Sequence, residues 1–168
     1  MKPRMGLVII PLLVLANLLT VTVGFAHTSG YHWNRYGSTV TINVYNTATY
    51  KTEASSAVVD WDTNTILSLP QVAYHTDIHV FDGNYGATGW ASLGSLESVS
   101  GNHILHAHGR INYYYSTTST QKRSMFCKLL GQSFGLASSN DGCMNGTLAY
   151  TVQHNWDDIY NMYRFSHH

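Results

Sequence analysis

The chain has 168 residues, of which 44% are hydrophobic and 11% are charged. These proportions exclude a disordered tail, a coiled coil and a collagen-like rod, and they predict one globular domain. Lys plus Arg number 9 and Asp plus Glu number 9, so the formal net charge at pH 7 is zero. No excess charge attracts nucleic acid or an anionic membrane, and we expect neither as a partner.

The N-terminal segment 1–26 has the features of a secretory signal peptide. Lys2 and Arg4 supply a positive start, Leu7 to Val23 is a largely apolar run, and Gly24-Phe25-Ala26 resembles a cleavage site. A membrane anchor is the alternative, since the run approaches the ~20 residues that span a bilayer. We predict cleavage and a secreted, extracellular protein of residues 27–168, with no membrane attachment afterwards.

The first part of the mature chain predicts a strand, a helix and a second strand. Thr39 to Tyr45 alternates apolar and polar residues, as a half-buried strand does. Ala54 to Leu67 changes to a spacing of three and four residues, which predicts an amphipathic helix that ends before Pro70. Asp77 to Phe81 is the next strand candidate, and a Gly-rich bend follows it.

The second part predicts two more strands and two helices. Trp90 to Leu96 and His103 to Tyr115 are extended candidates, and a helix begins near Gln121 and ends at Gly135. A turn at Asn140-Asp141-Gly142 separates it from a last helix, Trp156 to Tyr163, which Asn155 can cap. This order predicts an α+β fold in which helices cover a mixed sheet.

The segment C-K-L-L-G-Q-S-F-G-L-A-S, Cys127 to Ser138, is followed by Cys143-Met144-Asn145. It resembles the active-site helix and Met-turn of small secreted bacterial metzincin (matrixin/snapalysin-like) zinc proteases, whose pattern is H-E-x-x-H-x-x-G-x-x-H with a downstream Met. Four further stretches resemble the same group: Tyr31 to Asn34, Asn84 to Trp90, Gly101 to Ile104 and His154 to Asp157. The resemblance covers nearly all of 27–168 and implies a metzincin-like domain with a small mixed sheet, a long helix, a degenerate active-site helix, a Met-turn and a C-terminal helix.

The catalytic groups of that family are missing at the matching positions. Lys128, Gln132 and Ser138 stand where the three zinc-binding His residues belong, and Leu129 stands at the general-base Glu. An ammonium has no lone pair at neutral pH, an amide and a hydroxyl are poor zinc donors, and a leucine takes no proton. No Asp or Glu lies between Glu97 and Asp141 to replace the base. We therefore expect no bound catalytic zinc, no other cofactor and no proteolysis.

The residues that build the fold around this site are retained. Gly131, Gly135 and Met144 occupy the family's structural positions. Cys127 and Cys143 are the only two cysteines, and export would allow them to pair. The resemblance places these cysteines at the active-site helix and the Met-turn, which implies a structural disulfide; a reactive pair is the alternative.

Two groups of histidines offer a metal site away from this helix. His75, Asp77 and His79 recur at a spacing of two, so on a strand they would share one face. His106 and His108 share a face of the later strand and His103 lies on the other. In the family that strand borders the cleft, where an extended peptide could add as a further strand. Surface decoration and a solvated polar edge are the corresponding structural interpretations.

Three functions follow as hypotheses. The first is a secreted, monomeric metzincin-like pseudoprotease that retains its cleft for an extended peptide or protein. The second is an active secreted zinc metalloendopeptidase with relocated ligands, drawn from His103, His106, His108 and His154. The third is a cell-surface module that stacks polysaccharide on its aromatic residues, such as Tyr113 to Tyr115.

Overall fold

The computed structural model describes residues 28–115, 118–139, 142–145, 159–160 and 162–163. The predicted signal peptide, the predicted helix start at Asn155 and the candidate ligand His154 lie outside these residues. The elements are β1 (Val40–Thr41), β2 (Val44–Asn46), α1 (Lys51–Asn64), β3 (Leu67–Ser68), β4 (Gln71–Val72), β5 (Ile78–Gly83), β6 (Ser92–Ser100), β7 (His103–Asn112) and α2 (Ser119–Ser133). Short 3-10 turns cover Tyr113–Tyr115 and Gly142–Met144.

The predicted α+β class with a small mixed sheet is confirmed. Five strands form one sheet in the order β4-β2-β5-β7-β6. The pairs β2–β4, β2–β5 and β5–β7 are parallel, whereas β6 runs antiparallel to β7 and forms an edge of the sheet. Strands β1 and β3 form a separate parallel pair. In the described part of the chain, no helix is both long and apolar enough to cross a bilayer.

The predicted strand Thr39 to Tyr45 is divided into β1 and β2. Its alternation is correct, because Val40, Ile42 and Val44 are fully buried. Their amide groups donate in turn to carbonyl oxygens of Ile66, Ser68 and Pro70. The partner strand is divided as well, into β3 and β4, because Pro70 lies between them and has no N–H to offer a ladder.

Helix α1 buries the face that the sequence predicts, but its bounds are earlier. Ala54, Ala57, Val58 and Trp61 are its buried residues. The helix begins at Lys51 and ends at Asn64, so the prediction that it continues to Leu67 was wrong. Thr65 instead adopts an extended backbone conformation, and its hydroxyl donates to the carbonyl of Trp61. Leu67 is then free to pair with Val40 in the sheet.

The extended region predicted for His103 to Tyr115 also ends early. Strand β7 stops at Asn112, and the three tyrosines that follow form a 3-10 turn. Asn112 is buried, and its side-chain oxygen accepts hydrogen bonds from the backbone of Tyr85 and Tyr114. The Asn112 side chain thus links the loop after β5 to the residues that follow β7. The three tyrosines therefore lie outside the sheet. The prediction that β7 is an edge was wrong too, since it lies between β5 and β6.

Helix α2 lies against the sheet and carries Lys128, Leu129 and Gln132, three of the residues that the sequence resemblance aligns with a zinc site. Thr118 and Gln121 form a capping box at its start. The predicted apolar stripe of Phe126, Leu129, Leu130 and Phe134 is fully buried. Of the predicted C-terminal helix, the structure describes residues 159–160 and 162–163, and these are helical.

Candidate functional site

The end of α2 is held by two residues that are distant in sequence, one preceding β1 and one following the 3-10 turn at Gly142–Met144. The indole of Trp33 donates to the carbonyl of Ser133 at 2.9 Å, and the hydroxyl of Tyr163 donates to the carbonyl of Phe134 at 3.2 Å. These are carbonyl groups that a helix terminus leaves without a partner inside the helix. Burial raises the pKa of Tyr163, so this hydroxyl stays protonated and can keep donating.

Gly135 follows this helix end and turns the chain away. Its φ is +104°, and a Cβ there would lie 3.0 Å from the carbonyl carbon of Tyr31, with the carbonyl oxygen closer still. The carbonyl of Gly135 accepts hydrogen bonds from the amide and the hydroxyl of Ser29. Only a glycine tolerates both this backbone conformation and this close approach.

Gly131 and Met144 are in direct contact beneath α2. A Cβ at Gly131 would collide with the Met144 sulfur and would lie 3.2 Å from the ring of Trp61. Met144 is fully buried in the 3-10 turn that follows α2. The same turn is bonded to the helix by the Cys127–Cys143 disulfide, whose Cα atoms are 5.9 Å apart. The implied disulfide is therefore present.

Leu129, at the general-base position, is part of the hydrophobic core. Its side chain is 0% exposed and packs against Gly109 of β7, where a Cβ would collide with the Leu129 methyl group. Gly94 of the edge strand is packed equally closely, because a Cβ there would lie 2.5 Å from the Leu129 carbonyl oxygen. Two glycines on neighbouring strands thus let α2 approach the sheet closely enough to enclose this leucine.

Gln132, at the second ligand position, binds the sheet rather than facing an open site. Its Oε1 accepts a hydrogen bond of 2.8 Å from the Gly94 amide. Lys128, one turn earlier, is partly buried, and Ser138, beyond the helix, is exposed. The three positions aligned with metal ligands therefore differ in surroundings: Lys128 is partly buried, the Gln132 amide is engaged with the sheet, and Ser138 is exposed.

The other candidate residues meet on the opposite face of the sheet. Ala107 and Gly109 of β7 are buried on the α2 side, so His106 and His108, which alternate with them, point away from that helix. His75 reaches the same place from the chain before β5. Ligand nitrogen atoms of these three histidines all lie within 4.8 Å of one another.

The structure therefore groups the histidines differently from the prediction made from their spacing. His79 borders the cluster, with ring centroids 4.8 Å from His75 and 5.6 Å from His108. Asp77 does not join it, because its carboxylate accepts hydrogen bonds from the amide and side chain of Asn43. His103 lies elsewhere on β7, with its ring 4.8 Å from that of His32.

Two histidines at this place, His79 and His108, have a pKa shifted toward the neutral imidazole. Partial burial, followed by repulsion from the neighbouring histidines, lowers the pKa of His79. Burial also lowers the pKa of His108, against the opposing attraction of Glu97. A hydrogen bond from Ser95 lowers the pKa of Glu97, so this carboxylate is ionised beside His108. Neutral imidazole is the form that binds metal ions.

Sequence reasoning missed the joining of His75 to His106 and His108, and it missed Glu97. The signal that could have found them is the pairing of β5 with β7, which places His79 opposite His108. The pairing of β6 with β7 places Ser95 opposite His108, near Glu97. Both pairings depend on strand order, which spacing along the chain does not reveal.

Comparison with known proteins gives few relatives. No family model matches the chain, and no curated protein matches it. Among solved structures it is similar to "Structure of myroilysin", at 16% sequence identity and a TM-score of 0.46. The match covers 62% of this chain and 52% of that one, so it spans about half of the neighbour's length.

Proposed function

We propose that this protein is a secreted, metzincin-like pseudoprotease: a protease scaffold that does not bind catalytic zinc and does not cleave peptide bonds. The observation that carries the proposal is the burial of Leu129 between α2 and the sheet. A general base has to take a proton from a metal-bound water, and a leucine packed into the core has no group that can do so. The hydrogen bond from Gly94 to Gln132 supports the same conclusion, because it commits a second former site residue to the fold.

The proposed partner of the retained scaffold is an extended peptide or protein segment lying along the edge strand β6. An edge strand offers backbone donors and acceptors to an added strand. The residues of β6 from Glu97 to Ser100 are exposed. Binding without cleavage is the role that such a surface would have in a chain without the catalytic groups.

The test restores the missing groups and measures proteolysis. The variant Lys128→His/Leu129→Glu/Gln132→His/Ser138→His places three imidazoles and a carboxylate at the family's spacing. With zinc, it should acquire chelator-sensitive cleavage of an unstructured protein substrate, whereas the parent should cleave nothing at any zinc concentration. The matched control is Lys128→His/Gln132→His/Ser138→His, which keeps Leu129. It should bind one more zinc ion per chain than the parent and remain inactive, because the bound water has no base.

The two variants separate a folding failure from a wrong assignment. A carboxylate at position 129 enters a buried environment, so the fourfold variant is the one at risk of unfolding. The threefold variant avoids that risk, and if it folds but takes up no additional zinc, the alignment of α2 with the family's helix is wrong. Cleavage by the parent would contradict the proposal directly.

A second candidate function rests on the three-histidine cluster. His75, His106 and His108 could supply relocated ligands for a catalytic zinc, with Glu97 as the nearest carboxylate. In that case the parent would be an active metalloendopeptidase, and replacing His106 and His108 with Gln would abolish its activity. The pseudoprotease proposal expects no activity for these substitutions to remove.

A further inference from the structure

We propose that His75, His106 and His108 form a binding site for a divalent transition metal of the zinc class, on the face of the sheet away from α2. Imidazole nitrogens are preferred ligands of this class of ion. The site is independent of the proposed function, because neither the former zinc positions nor the edge strand's free side contributes a ligand. Three protein ligands leave the fourth position of a tetrahedral ion to water.

The spacing of the ring nitrogens fits one shared ion. The Nε2 atoms of His106 and His108 are 3.1 Å apart. Two zinc–nitrogen bonds of about 2.0–2.1 Å that meet at roughly 100° place their nitrogen atoms at about this separation. The backbone already holds both side chains on one face of a central strand, so two of the three ligands are in place before an ion binds.

The outer nitrogen of the His106 ring has an acceptor that orients this ring for metal binding. His106 Nδ1 lies 2.7 Å from the carbonyl oxygen of Thr76. A carbonyl can only accept, so Nδ1 carries the proton and, in the neutral ring, Nε2 keeps its lone pair. His108 Nε2 then donates to His106 Nε2 in the metal-free chain, so its proton has to move to Nδ1 or leave when an ion binds. Glu97 Oε1 lies 3.6 Å from His108 Nδ1, too far for a hydrogen bond, and places a negative charge beside this ring.

His75 supplies the third ligand from the chain that precedes β5. Its side chain is exposed, and the ligand nitrogens of the three histidines all lie within 4.8 Å of one another. Its ring packs 4.5 Å from the His106 ring, measured between centroids. A rotation of this exposed imidazole toward the other two would complete the site.

The charges around the cluster do not oppose a cation. Arg110 is a positive side chain whose charge acts on His108, and it lies over the ring of Phe81 and 4.0 Å from Glu97. Glu97 is within 4.0 Å of both Arg110 and His108, so its negative charge offsets the guanidinium at the site.

The test measures zinc binding by the secreted chain, purified free of chelators. Titration with Zn²⁺ against a competing indicator should give one tight site per chain. His106→Gln/His108→Gln should weaken binding at least 100-fold, and His75→Gln should also weaken it. His103→Gln is the matched control, because it removes a histidine from the same strand outside the cluster, and it should leave the affinity unchanged. Glu97→Gln should also weaken binding, because it removes the negative charge beside His108.

Two further measurements test whether other residues bind the ion. Substitution with Co²⁺ should give the intense visible bands of tetrahedral coordination, and the His106→Gln/His108→Gln variant should lose them. His167→Gln/His168→Gln removes the terminal histidine pair and should bind zinc as the parent does. The proposal is overturned if the parent binds no zinc, if the His106→Gln/His108→Gln variant binds it equally well, or if the terminal pair accounts for it. His75→Gln, at an exposed position, keeps the test valid if the double variant fails to fold.

Discussion

Replacing Leu129 tests whether this position has become structural. Leu129→Ala removes a side chain that is 0% exposed. The lost burial amounts to about 0.8 kcal/mol for each of the three carbons, or about 2.4 kcal/mol. The backbone glycines that enclose the leucine cannot expand to fill the space, so a cavity term raises the total to about 3–4 kcal/mol. For a domain of this size, the midpoint of thermal unfolding should fall by about 10 °C.

The assay is chemical and thermal denaturation followed by circular dichroism, with Lys128→Ala as the matched control. Lys128 is the adjacent residue on α2 and is only partly buried. Its truncation should cost less than about 1 kcal/mol. Equal, small losses for the two variants would refute the argument that Leu129 is a core residue at the former base position. They would also remove the main support for the pseudoprotease proposal.

Two other predictions concern the residues that retain the shape of the site. Gly135→Ala should lower the free energy of unfolding by more than about 2 kcal/mol, because it adds a collision with the Tyr31 carbonyl to the strain of a positive φ. Gly101→Ala is the control, since Gly101 has a φ of +59° with open space around it. In urea unfolding it should show only the strain, about 1–2 kcal/mol. Cys127→Ser/Cys143→Ser should lower the free energy of unfolding by about 3 kcal/mol, measured beside the parent with and without reductant; a parent unaffected by reductant would contradict it.

The local parts of the fold could be predicted from the sequence because their signals are local. The spacing of Ala54, Ala57 and Trp61 identifies the buried face of α1, and the alternation of Val40 and Val44 identifies a strand. The predicted ends of the helices and strands were less accurate. They depend on partners distant in the chain, such as the carbonyl of Ile66, which accepts a hydrogen bond from Val40 where β1 pairs with β3.

The candidate sites show the same difference between local signals and contacts that join distant parts of the chain. The sequence reveals that Leu129 cannot act as a base, but it does not reveal that Gly94 and Gly109 enclose it, because those contacts join three separate elements. The histidines were grouped by their spacing along each strand, whereas the structure groups them across β5 and β7. Chemistry that depends on residue type was predictable, and chemistry that depends on strand order was not.

On the proposed alignment, Gln132 stands in place of a zinc-binding histidine, and this difference affects what the sheet edge can bind. A histidine whose Nε2 holds zinc has only a donor left, so it could not accept a hydrogen bond from the Gly94 amide. Glutamine does accept it, at 2.8 Å, and thereby occupies one donor of the strand at the sheet edge. The ladder between β6 and β7 is irregular between Leu96 and Val99, within the exposed stretch that the proposed peptide would follow. A peptide that pairs with this stretch has to match the irregularity, and one that extends to Gly94 also has to displace the Gln132 side chain. On the pseudoprotease proposal, one residue change would both remove a metal ligand and partly close the sheet edge.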